Sequence, residues 1–443
     1  MTSVRLSKGA ALLAVVALLI STVGDEVALV ALALRGADRT GLTSVVSAQM
    51  LAGLVPGIAL GGPIGRIVDR FRLDVVLGVT LVLECLIAAT AAAFADGAVL
   101  LIATMLFLGA LGAVAQTCVM ALVPQLFPAS EAQLRVNGVM ESTRNAGYIV
   151  GPLLVGLLTA HGGTGLALAV DAGTFAFALL AVPVITHWLT ARPVQLSPAP
   201  DPAPPPAAEV DETATETETT GQEPHEAAKG GMRVGLSLLW TGPQRRAALA
   251  TIVVTVAATS VVNVLMPFFA HEIPGGTASY GTLLATWSVG LVVGPFVLRS
   301  RLGDRPTAVV AVGAASIIGL SYLVTAAYLV LWVMLAACLC GGMANAVQNV
   351  ALRTHVMADC PPGVRGRVGA AYGATLQSSV AIGFALAGLV PAAWARWGIL
   401  VGGAVALLTG SLGWLLTRAL TASAPTDGSV SVPTLQVPEE KAS

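Results

Sequence analysis

Residues 98–122 read AVLLIATMLFLGALGAVAQTCVMAL, a run without a single charged side chain. A helix rises about 1.5 Å per residue, so about 20 apolar residues cross the ~30 Å hydrocarbon core of a bilayer. A barrel strand needs only about half that length. The run is therefore predicted to be a transmembrane helix. Reading outward on both sides finds eleven more of its kind: 10–34, 42–64, 75–95, 137–160, 164–187, 247–270, 280–298, 307–327, 329–351, 368–391 and 398–418. Composition agrees, with 56% apolar and 11% charged residues. A soluble domain carries about 25% charged residues. The expected class is an all-α membrane protein of twelve transmembrane helices. Arg5 and Lys8 precede an apolar stretch that could pass for a cleaved leader, but Asp25 and Glu26 interrupt it and it is long enough to span. It is read as a retained first helix.

Charge provides an independent test of topology. With the N-terminus inside, Arg35, Arg39 and Arg396 fall outside, and the other Lys and Arg of the 23 fall inside. This is a strong positive-inside bias. It places the chain in the cell membrane as a multi-pass protein with both termini cytoplasmic. Residues 193–229 differ from the rest, with eight prolines and eight acidic residues. Such a segment cannot bury enough apolar surface to fold. The expected organisation is a six-helix bundle over 1–190, a mostly disordered acidic linker over 191–245, a second six-helix bundle over 246–420 and a disordered tail over 421–443.

The halves echo one another. Arg66-Ile67-Val68-Asp69-Arg70 follows the second span and Arg301-Leu302-Gly303-Asp304-Arg305 follows the eighth. Gly62-Pro63 and Gly294-Pro295 lie just upstream of each. Parallel repeats of this kind build some secondary transporters.

Gly65 through Arg70, between the second and third spans, resembles the signature loop of the major facilitator superfamily. Its twelve-helix drug and macrolide exporter branch is further matched by Gly24-Asp25, Leu122-Val123-Pro124, Asn137, Gly147-Tyr148-Ile149-Val150-Gly151-Pro152, Asp171-Ala172-Gly173-Thr174-Phe175 and Arg365-Gly366-Arg367-Val368. The resemblance covers nearly all of 5–418 outside the linker. Two departures stand out. Phe71-Arg72-Leu73-Asp74 replaces the glycine and two bases that usually follow the loop's Asp-Arg, and the fourth span lacks the arginine that many proton-coupled members carry. By resemblance, Gly65, Asp69 and Arg70, with Asp304 and Arg305 in the second half, form a gating latch. The run containing Gly147, Gly151 and Pro152 marks exporters, and a monomer is expected.

Carboxylates inside spans carry the most chemical information. An Asp at a helix centre costs roughly 2.5–3.5 kcal/mol on insertion scales, so it faces protein or a wet cavity. Asp25, Glu26, Glu84 and Asp171 lie in spans of the first half, and no comparable acid lies in spans seven to twelve. Asp25 and Glu26 are adjacent, about 100° apart around a helix. One is expected to take up the transported proton while the other pairs with a neighbouring helix, Arg144 being one partner. The resemblance implies a central cavity lined by spans one, four, seven and ten. The polar residues there are Ser21, Thr22, Gln116, Thr117, Asn263, Asn345 and Gln348. Neutral amides and hydroxyls in an apolar pocket suit an amphiphilic organic ligand.

Other classes fit less well. A net charge of −1 argues against nucleic acid as a partner. The five cysteines and five histidines show no ligand spacing, so no metal or cofactor is expected. No GxxxxGK[ST] loop appears, which disfavours an ATP-driven pump. No catalytic constellation supports a membrane enzyme. The reading is a secondary active transporter that exchanges protons for a small amphiphilic drug or metabolite. Uptake on the same fold is the alternative, and a membrane scaffold or enzyme stands behind both.

Overall fold

The computed structural model describes residues 8–126, 130–191, 234–301, 307–358, 360 and 364–422. The expected linker, most of the expected tail, and Asp304 and Arg305 lie outside these residues. Helices come in the order α1 Lys8–Thr40, α2 Thr43–Ala59, α3 Gly61–Arg70, α4 Leu73–Phe94, α5 Ala98–Leu126, α6 Ser130–Ala178, α7 Ala181–Ala191, α8 Pro243–Phe269, α9 Gly276–Arg301, α10 Thr307–Ala327, α11 Leu331–Ala358, α12 Arg365–Ala387 and α13 Ala395–Ala422.

Two local features convert these helices into twelve rods. α6 runs through two spans and breaks at Gly163, whose φ of 69° a side chain would resist. Its second half continues into α7 as the sixth rod. α2 and α3 form one rod bent by 57° at Gly61-Gly62-Pro63, where proline supplies no amide to the carbonyl four residues back. By length and apolarity alone, eight helices could cross a membrane, or nine with the bent pair. Among the helices that fail this test, α1 carries Asp25, Glu26, Arg35, Asp38 and Arg39, and α9 is rich in Gly, Ser and Thr.

The halves repeat one packing scheme. In the first, α4 packs on α5 and α6, α2 on α5, and α1 on α6 and α7; in the second, α10 packs on α11 and α13, α9 on α11, and α8 on α12 and α13. The halves join chiefly where α6 meets α9 and where α2 meets α12, with α1 and α2 also touching α8.

One face carries the start of α1 and the end of α13; the opposite face is called distal. Toward the distal face apolar clusters span both halves, one with Leu32 and Leu34 joining Leu265 and Phe269, a smaller one with Ala33 and Val46 joining Val264 and Ala387. Toward the terminal face the cores are separate. Leu77, Leu81 and Phe175 belong to one, and Leu249, Ile252 and Val312 to the other.

Candidate functional site

Three carboxylates from three helices converge in the first half: Asp25 of α1, Glu84 of α4 and Asp171 of α6. Among the described residues, the charges that act on these three are all negative. Asp25 and Asp171 both bear on Glu84, and Asp25 bears on Asp171. Glu84 is 2% exposed and Asp171 is fully buried. The Thr174 hydroxyl lies beside the Asp171 carboxyl and donates to the Asp171 main-chain carbonyl at 2.7 Å. Like charges in a low-dielectric interior are held only with a proton or a counter-ion. Among the described residues, no three His, Cys, Asp or Glu lie close enough to chelate a metal.

Asp25 differs from its two companions in being exposed. α1 is enclosed by α2, α5, α6 and α7 of its own half and by α8 of the other. Exposure at mid-helix therefore opens into the protein rather than to lipid. Glycine brings the cluster together. A Cβ on Gly24 would collide with the Thr174 hydroxyl and fall 2.5 Å from Asp171 Oδ1, so α1 meets α6 there without a side chain between them. Gly112 of α5 leaves room for Glu84, whose Oε1 would stand 3.9 Å from a Cβ there.

Glu26 leaves α1 about 100° around from Asp25, and its charge bears on Asp25. Its Cβ packs against Gly151 of α6, where an added Cβ would come within 2.7 Å. Gly147 abuts the backbone of Thr22 and Val23 one turn away. The carbonyl of Pro152 packs in turn against Gly281 of α9 in the other half. The glycine-proline run thus seats α6 between the acid-bearing helix and the opposite bundle. The side chain of Arg144 lies outside the described residues, so its pairing with the acids is not defined.

The expected cavity residues separate by exposure. Gln116 and Asn263 are exposed, and Asn345 is half-buried, accepting from Asn349 at 2.8 Å. Thr22 is half-buried and Ser21 is buried. Thr117 donates to the Ala113 carbonyl of its own helix. Gln348 is buried with its amide nitrogen unpaired. In the signature loop Gly65 is half-buried, while Asp69 and Arg70 are exposed in the last turn of α3.

Sequence reasoning passed over two features. Gln49 is fully buried on α2 and donates to the Leu32 carbonyl of α1 across Gly36; a lone amide in an apolar run was a usable signal. Arg35, read only as an outside charge, is buried and donates to the Ala91 and Ala92 carbonyls that end α4 and to Asp96. Nothing local announced that role.

A profile of the Major Facilitator Superfamily matches residues 11–384. No curated protein sequence matches the chain. Among solved structures, it is similar to the POT family transporter PepTSo at 11% identity, TM-score 0.63, covering 93% of this chain and 98% of that one. It is similar to the nucleoside transporter NupG at 14% identity and TM-score 0.61, covering 93% and 98%. A bacterial homologue of the iron transporter ferroportin, in an inward-facing state, aligns at 15% identity and TM-score 0.61, covering 93% and 100%.

Proposed function

The chain belongs to the Major Facilitator Superfamily, and on that premise we propose that it exports a small amphiphilic molecule in exchange for protons, by alternating access. The observation that carries the reading is the carboxylate cluster of Asp25, Glu84 and Asp171, on which no positive charge acts among the described residues. A buried acid without a counter-ion is costly to keep charged. One whose neighbour opens to water can be relieved by taking up a proton. Asp25 is the exchanging group in this reading, and Glu84 and Asp171 lie within electrostatic reach of it. One proton descending 100 mV releases about 2.3 kcal/mol, enough for a roughly fiftyfold substrate gradient.

The separate cores toward the terminal face and the joint clusters toward the distal face support a state open on the terminal side. With the charge bias placing that side in the cytoplasm, this is the state that loads cargo for export. Exposed Gln116 and Asn263 offer neutral polar contacts to such a cargo.

The test uses efflux-deficient cells loaded with a fluorescent amphiphilic dye. Expression should lower cell dye at least tenfold faster than in control cells, a protonophore should abolish the effect, and Asp25→Asn should lose it while reaching wild-type membrane levels. Dye accumulation would favour uptake. Expulsion that survives the protonophore, or an active Asp25→Asn variant, would overturn proton coupling through Asp25.

A further inference from the structure

Among the described residues, one contact between an acidic and a basic side chain joins the halves at the distal closure. Nε2 of His271, in the turn after α8, lies 3.0 Å from Oδ1 of Asp38 near the end of α1. Two hydroxyls bridge the halves on the same face. Thr43 donates to the Val390 carbonyl and Ser47 to that of Phe384, each at 2.5 Å. These last two bonds have no titratable member, so pH leaves them alone. The His271–Asp38 pair is different in kind, because histidine changes charge between about pH 5 and 8.

The surroundings assign the other charges to other partners. Arg39, next to Asp38, is 3.2 Å from Asp96, which Arg35 also holds at 3.0 Å. Glu272, next to His271, faces Arg396 of α13 at 3.9 Å. The first turn of α9, packed against this turn, has no acid. Among the described residues, His271 is thus the basic side chain paired with Asp38.

We propose that His271 and Asp38 form a pH-dependent latch across the distal face, closed more firmly when the imidazole is protonated. The sign follows from the pairing: the contact exists in the distal-closed state and parts when the halves separate there. Protonation adds a full charge to the closed contact, so acid on the distal side favours closure and alkali favours opening. Both side chains are partly exposed, at 62% and 39%. The effect is accordingly modest, up to about fivefold in the closed-to-open ratio. The latch is independent of the carboxylate cluster and stands whatever the chain transports.

The experiment places spin labels at Leu42 and Leu389, exposed distal positions on opposite halves, in full-length protein with the native cysteines replaced. Distance distributions in lipid nanodiscs are recorded at pH 5.5 and pH 8.0. The long-distance fraction should rise with pH in the wild type. His271→Gln and Asp38→Asn should each remove that dependence, and His271→Lys should keep the short distance at both values. In an Asp25→Asn background, His271→Gln should still reduce the pH response, which separates failure of the latch from failure of the proton site. No pH response in the wild type, or an undiminished one in His271→Gln, would overturn the proposal.

Discussion

Gly24 of α1 lies directly on Asp171 of α6: a Cβ at position 24 would stand 2.5 Å from Oδ1 of its fully buried carboxylate. The smallest residue in the acid-bearing turn is what lets two helices bring their carboxylates within electrostatic reach. Gly24→Ala should push α1 away from Asp171 and Thr174. Overpacking of a fitted contact costs about 1–3 kcal/mol. The expected outcome is a lower unfolding temperature in detergent and proton-driven transport reduced at least tenfold. Wild-type transport in Gly24→Ala would show that this close approach is dispensable.

A second prediction concerns the crossing of α6 and α9. A Cβ on Gly281 would lie 2.5 Å from the Pro152 carbonyl and 2.9 Å from the Gly156 Cα, both backbone atoms that cannot swing aside. Gly281→Leu should therefore oppose the distal-closed arrangement and bias the protein toward the opposite state. With a single reporter cysteine at Tyr280 in a cysteine-free background, labelling by a membrane-impermeant reagent should accelerate severalfold over the same reporter beside Gly281. Unchanged labelling would mean that the crossing is held in both states.

A third compares two arginines that do one job in the two halves. Arg35 caps the end of α4 through the Ala91 and Ala92 carbonyls, and Arg396 caps the end of α10 through those of Ala326 and Ala327. Cations at helix C-termini satisfy orphan carbonyls and meet the negative end of the dipole. The Arg35 side chain is 5% exposed and that of Arg396 is 36% exposed. Arg35→Gln should cost about 1.5–3 kcal/mol, the range for charge-assisted bonds, and Arg396→Gln should cost clearly less. Thermal unfolding of the two variants side by side checks the order, and equal losses would contradict it.

Long apolar runs, the break at Gly163 and the charge bias are properties of consecutive residues, so the twelve rods could be read directly from sequence. Eleven of the expected spans overlap one rod each with edges shifted by a few residues, and the second matches the bent pair α2 and α3. The acids were legible for the same reason: a carboxylate in an apolar run is conspicuous wherever the run packs. The helical angle between Asp25 and Glu26 also followed from chain geometry alone.

Which acids would meet was not legible, because Glu84 and Asp171 reach Asp25 through contacts between helices far apart in sequence. The same holds for Arg35, which looked like a stray outside charge and instead caps the end of α4, 56 and 57 residues later, as a buried side chain. The pairing of His271 with Asp38 joins two halves 233 residues apart. Local sequence determined that this chain must lie in a membrane as helices, since backbone satisfaction in lipid depends only on neighbours four residues away. Only the tertiary structure decided which face closes and which charges share a site, since those depend on how glycine-lined helix surfaces from separate segments fit together.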